Sequence, residues 1–87
     1  MAQIIMYSTD RCPYCISAER FFQKKGVSIT KINVDKDPDE RRIMLEKSRG
    51  LRTVPQIFID GFHVGGYDEL IALDRAGKLD VRLQLDA

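Results

Sequence analysis

A short apolar run, Gln3 to Tyr7, gives way to a polar loop at Ser8 to Arg11. Cys12-Pro13 then opens a segment in which Cys15, Ala18 and Phe22 share one helical face, and Gly26 ends it. No other stretch constrains the fold as much. Proline is well placed at the first helical position, where its missing N–H would have had no partner. Glycine ends helices because it accepts a left-handed backbone. Residues Val27 to Val34 read as a second strand whose apolar phase slips between Ile29 and Ile32, the mark of an edge position or a bulge. A strand–helix–strand unit of this kind closes as a right-handed parallel pair. Cys12 then stands where the first strand ends and the first helix begins, the edge at which open α/β sheets bind ligands.

The remaining segments extend the same sheet. Asp37-Pro38-Asp39-Glu40 carries an N-cap residue, a proline at the first helical position and a glutamate three residues after the cap, and leads through Ile43 and Met44 to a stop at Gly50. Gln56 to Ile59 and Phe62 to Val64 flank Asp60-Gly61, a strong hairpin signal, so these two strands are antiparallel. Gly65-Gly66 leads into a helix from Tyr67 to Ala76, with Leu70 and Leu73 at helical spacing and Gly77 at its end; Lys78 to Ala87 reads as a tail. The predicted order is β-α-β-α-β-β-α, an α/β fold with a four-stranded mixed sheet flanked by three helices. Tyr7, Phe58 and Phe62 are assigned to the core or to sheet faces. Lys24-Lys25 and Arg41-Arg42 are assigned to solvated helix faces, and His63 to a surface strand position without a partner.

At 87 residues the expectation is one domain, residues 1–87, and with 44% apolar and 31% charged residues one that folds unaided. The formal net charge of +1 is spread over interleaved acids and bases, which leaves no footprint for nucleic acid or for an anionic membrane. No uninterrupted apolar run, Ile4 to Met6 included, exceeds four residues, far short of the ~20 residues of a membrane span, and no signal-peptide pattern opens the sequence. A cytosolic location and a monomer are expected.

The two cysteines, Cys12 and Cys15, lie too close in sequence for their bridge to restrict the unfolded chain much, so the pair points to chemistry rather than stapling. On the first turn of a helix they reach disulfide geometry with little backbone movement. Cys12 sits where unpaired N–H groups and the helix dipole favour a thiolate, while Cys15 faces inward beside Ala18 and Phe22 and stays protonated. A stabilised thiolate is also a better leaving group when a second thiol attacks a mixed disulfide. A zinc site is disfavoured, because His63 is the only further histidine or cysteine.

Three other segments each allow two readings. Thr53-Val54-Pro55 is an ordinary loop before a strand, or a cis-proline turn that leaves the Val54 backbone open to a peptide-like ligand. Gly65-Gly66 is a plain turn, or a helix start with N–H groups open to a carboxylate. Asp68 is a favourable first-turn acid, or an acceptor for a ligand ammonium group.

Taken together, Cys12-Pro13-Tyr14-Cys15, Thr53-Val54-Pro55-Gln56 and Gly65-Gly66-Tyr67-Asp68 resemble the dithiol glutaredoxins, most closely the short bacterial kind. The resemblance implies a thioredoxin-like fold and a glutathione-dependent thiol–disulfide oxidoreductase, with Cys12 as nucleophile and Cys15 as resolving thiol. It implies glutathione as reducing co-substrate, no tightly bound cofactor, and disulfide-containing or glutathionylated proteins as partners, ribonucleotide reductase or other reductases among them. It also implies a cis peptide before Pro55 and a glutathione groove between the cysteine loop, the Thr53–Val54–Pro55 turn and the Gly66 helix start. In that pattern Tyr14 flanks the glutathione sulfur, Val54 pairs with its cysteine backbone, Gly66, Tyr67 and Asp68 hold its γ-glutamyl end, and Arg52 or Gln56 meets its glycine carboxylate. Many members carry lysine at the place of Thr9. Here Arg11, next to Cys12, is the candidate substitute. Two rivals remain: a [2Fe–2S] module bridging two chains, disfavoured by the stiff Pro13 loop, and a donor fed by thioredoxin reductase, disfavoured by the absence of tryptophan.

Overall fold

The computed structural model describes residues 2–84. Its elements are β1 (Ile4–Ser8), α1 (Pro13–Lys25), β2 (Thr30–Asn33), α2 (Pro38–Lys47), β3 (Gln56–Ile59), β4 (Phe62–Gly65), α3 (Tyr67–Arg75) and α4 (Leu79–Leu83). The sheet order is β2-β1-β3-β4, with β1 parallel to β2 and antiparallel to β3, and β3 antiparallel to β4. This is the expected α/β arrangement with one helix more than the three predicted.

Side chains alternate across the sheet, as the strand period of two requires. Ile4, Met6, Ile57 and Ile59 pack with Ala18 and Phe22 of α1, Leu70 of α3, and Leu79 and Leu83 of α4. On the other face Tyr7 and Phe58 meet Met44 of α2 together with Val34. Their rings stand edge to face with centroids 5.8 Å apart. Helices on both faces explain why β1 reads as an apolar run rather than an alternating one.

The helix ends follow their sequence signals. Cys12 caps α1 through its sulfur, which accepts the Cys15 N–H at 3.1 Å, and Asp37 caps α2 by accepting the N–H groups of Asp39 and Glu40. Gly26 takes a left-handed φ of 76° and, with Val27, closes α1: the Gly26 N–H bonds Gln23 O and the Val27 N–H bonds Phe22 O. That use of the Val27 amide is why β2 starts at Thr30 and not at Val27. It occupies the sheet edge, as the slipped phase suggested. Likewise α2 ends at Lys47, before Gly50, because Arg49 takes the left-handed turn and the Gly50 N–H returns to Leu45 O.

Two further expectations need correction, and a third resolves to one of its alternatives. The tail contains α4, whose Leu79 and Leu83, four residues apart, are both buried; residues 85–87 lie outside the described part. Phe62, assigned to the core or a sheet face, lies on the sheet in β4 and is exposed there, with the Arg82 guanidinium 3.3 Å from its ring centroid. Lys25 is not simply solvated: it is paired with Asp74 of α3 at 2.8 Å and Asp80 of α4 at 2.9 Å, and holds three helices together. Among the described residues no helix is long and apolar enough to cross a membrane.

Candidate active site

The end of β1, the turn before β3 and the start of α3 converge at one edge of the sheet. There Cys12 and Cys15 form a disulfide with their Cα atoms 5.1 Å apart. Because Cys12 is the N-cap, its sulfur lies inside the first turn of α1, and the hydrogen bond from Cys15 N–H is the kind that favours negative charge on it after reduction. Cys15 belongs to the apolar cluster with Ala18 and Phe22. Both are nearly covered, Cys12 at 6% and Cys15 at 4% exposure, so a substrate sulfur must enter along a defined path.

Beside the disulfide, reached through Val54, lies a groove of about 170 Å³ lined by Tyr14, Thr53, Val54, Pro55, Gly66, Tyr67, Asp68 and Glu69. The Val54–Pro55 peptide is cis, so of the two readings of this segment the structure has the proline turn. Val54 precedes β3 and stands outside the sheet ladder, and its carbonyl oxygen lies 3.7 Å from Cys12 Sγ. A peptide-like ligand seated there lies directly beside the reactive sulfur. Tyr14, 61% exposed, and Tyr67 face each other with centroids 6.3 Å apart. At Gly66 the backbone comes so close to the proline turn that an added Cβ would lie 3.4 Å from Pro55 O.

The groove thus gathers seven of the residues expected from the sequence, Tyr14, Thr53, Val54, Pro55, Gly66, Tyr67 and Asp68. Three stand elsewhere. Arg11 and Arg52 are exposed and outside the lining. Gln56 is 2% exposed and outside the lining, with its amide bonded to Thr53 and to His63. One lining residue was missed: the Glu69 carboxylate accepts the Gly66 N–H at 2.8 Å, so this amide is already partnered. A glutamate three residues after a helix-start position is the capping-box spacing, and it was legible.

A second cavity, of about 190 Å³, opens on the far side of the disulfide, where Thr9, Asp10, Glu19, Lys31 and Asn33 approach both cysteines. Thr9 therefore flanks the disulfide from the side away from the groove. A larger cavity, of about 790 Å³, lies between Phe62, Leu73 and Val81, but its lining includes neither a cysteine nor Val54, whose carbonyl ties the groove to Cys12, and size alone does not make it the site. Among the described residues no three His, Cys, Asp or Glu side chains cluster as metal ligands would.

A dithiol that closes at a helix N-terminus beside an open backbone groove can exchange two electrons with other thiols and disulfides. The comparisons with known proteins agree. The glutaredoxin family model matches residues 4–64. The chain is 49% identical to a glutaredoxin of Pseudomonas aeruginosa over 95% of its own length and 98% of that protein's. It is 44% identical to glutaredoxin 3 of Escherichia coli over 97% of its own length and all of that protein's. Its structure resembles that of a buckwheat glutaredoxin crystallised with glutathione, with a TM-score of 0.84 and 33% identity over 95% of this chain and 77% of that one. Sharing the thioredoxin-like fold of these proteins and a cysteine pair at the head of α1, the chain belongs to the glutaredoxin family and is a thiol–disulfide oxidoreductase.

Proposed function

We propose that the chain reduces protein disulfides and glutathione mixed disulfides at the expense of glutathione, with Cys12 as nucleophile and Cys15 as resolving thiol. The observation that carries this reading is the position of the Val54 carbonyl, outside the ladder and 3.7 Å from Cys12 Sγ, at the head of a groove that suits a short peptide. The buckwheat neighbour, crystallised as its glutathione complex, supports the choice of ligand.

The Cys12 thiolate attacks the glutathionyl sulfur of a mixed disulfide. The substrate thiolate leaves and takes a proton, and glutathione stays on Cys12. A second glutathione then attacks that sulfur, releasing glutathione disulfide and restoring the thiolate. With a protein disulfide, Cys15 instead loses its proton and attacks, which closes the Cys12–Cys15 bond; two glutathiones reopen it. Each cycle moves two electrons. Regeneration of this kind needs a glutathione-reduced compartment such as the cytosol, and disulfide-containing reductases such as ribonucleotide reductase fit as partners.

Cys12→Ser is expected to abolish activity towards both substrates, because nothing replaces the nucleophile. Cys15→Ser is expected to keep reduction of a glutathionylated peptide and lose reduction of a protein disulfide. An NADPH-coupled glutathione reductase assay measures both, run beside a thioredoxin reductase assay. Turnover by the Cys12 variant, or better regeneration by thioredoxin reductase than by glutathione, refutes the assignment.

A further inference from the structure

Gln56 and His63, which the reading of the groove leaves unused, are joined. The strands explain how: His63 of β4 stands opposite Phe58 of β3, and Gln56, two residues before Phe58, projects from the same face and is its diagonal neighbour. The register shift between Ile57 and Phe58 opens β4 at this point. His63 stacks on Phe58 with centroids 4.8 Å apart and planes 21° from parallel. Its Nε2 lies 2.7 Å from Gln56 Oε1. Gln56 Nε2 in turn donates to Thr53 O at 3.0 Å and to Thr53 Oγ1 at 3.2 Å.

The direction of this chain is fixed by chemistry. A backbone carbonyl only accepts, so the Gln56 amide must turn its NH2 group to Thr53 and its oxygen to His63. That oxygen only accepts, so His63 Nε2 must carry a hydrogen. At the other end, Thr53 Oγ1 is occupied as an acceptor, which leaves its own hydroxyl hydrogen for a further partner. Thr53 lines the groove.

We infer that His63 is a positioning residue for substrate binding: through the buried Gln56 it holds Thr53, keeps the following Val54 backbone in place beside Cys12, and leaves the Thr53 hydroxyl free to donate to a ligand oxygen. The inference rests on the reading that the groove takes a glutathionyl group.

His63→Phe keeps a ring over Phe58 and removes the Nε2 donor, whereas His63→Gln puts an amide donor back. With a glutathionylated peptide as varied substrate, His63→Phe is expected to raise KM about fivefold, equivalent to ~1 kcal/mol of lost binding, with kcat within about twofold. His63→Gln is expected to recover most of the loss. An unchanged KM in His63→Phe, or an increase that His63→Gln does not reverse, overturns the inference. The unmodified protein supplies a test that needs no variant: the imidazole nitrogen shifts should report a protonated Nε2, and a neutral ring protonated only on Nδ1 overturns the chain of hydrogen bonds outright. A wild type idle with glutathione would instead defeat the reading of the groove, so the two failures are distinguishable.

Discussion

Two glycines offer a way to separate binding from stability. At Gly66, φ is −93°, an ordinary value, so alanine there carries no backbone strain; its methyl would lie 3.3 Å from Glu69 Oε1 and 3.4 Å from Pro55 O. The glutamate tip can shift, at the expense of its bond to the Gly66 N–H, but the proline carbonyl belongs to the turn that forms the groove wall. The extra methyl therefore sits in ordinary contact with the proline carbonyl and takes up part of a groove of only about 170 Å³ that a ligand would need. Gly26 is the opposite case, with φ at +76° and nothing within 4 Å of an added Cβ. Alanine there meets open space but takes the left-handed penalty of about 1 kcal/mol. For a domain of this size that lowers Tm by roughly 4–8 °C.

At Gly66 the weaker N-cap and the smaller entropy of the unfolded chain oppose each other, each worth up to about 1 kcal/mol, so Tm should stay within ~4 °C of wild type. On the proposed reading the methyl and the ligand compete for the same space, and overpacking of that kind costs about 1–3 kcal/mol, which corresponds to a KM for a glutathionylated peptide raised at least fivefold. Thermal melts and the coupled glutathione reductase assay, run on both variants, give the four numbers. Gly66→Ala should change KM with little change in Tm, and Gly26→Ala should do the reverse. If Gly66→Ala binds substrate as wild type does, the groove beside Pro55 is not where the glutathionyl group sits.

Two further outcomes follow from charged groups. Lys25 has its pKa raised above the ordinary 10.5, first by its hydrogen bond to Asp74 and then by that to Asp80. Lys25→Met should therefore lower stability by about 1 kcal/mol in urea melts at neutral pH. A pKa raised by folding contributes in full below the unfolded value and is lost as pH rises through the folded one, so the gap to wild type should shrink above pH 10.5 and persist at pH 9. Arg11 is exposed. A cation ~6 Å from the Cys12 thiolate across water is worth roughly 0.7 kcal/mol, so Arg11→Ala should slow iodoacetamide alkylation of the reduced protein by no more than about threefold. A tenfold loss would make Arg11, rather than the helix terminus, the main support of the thiolate.

What the sequence disclosed, and what it hid, divides by the range of the interaction responsible. Cys12-Pro13, Asp37-Pro38 and Asp60-Gly61 announce two helices and a hairpin because caps and tight turns are decided within four residues, and the structure has all three. The amide of Val27 is claimed by the helix behind it, so a residue that looks like the start of a strand is spent on ending α1. In α4, Leu79 and Leu83 are the only buried pair in five residues, too little periodicity to stand out from a charged tail. Lys25 reads as solvent-facing because both of its partners come from other helices. The site shows the same division more sharply. The cysteine pair is local and its placement at a helix head follows from the residues themselves, but Val54 meets Cys12 across 42 positions of sequence, a distance that only the parallel β1–β2 crossover and the return of β3 beside β1 bring to zero. Residue chemistry left the Thr53–Val54–Pro55 and Gly65-Gly66 segments each with two readings, and it was likeness to a family that joined them into a groove. Gln56 shows the limit of such likeness. A motif fixes which residue stands at a position, whereas the direction of its side chain depends on the cross-strand neighbour, and here a histidine seven residues on holds it. Residues whose roles are set by backbone, such as Val54 and Gly66, are therefore the ones a motif transfers most safely, and the polar side chains around them are where each member of the family has to be read from its own structure.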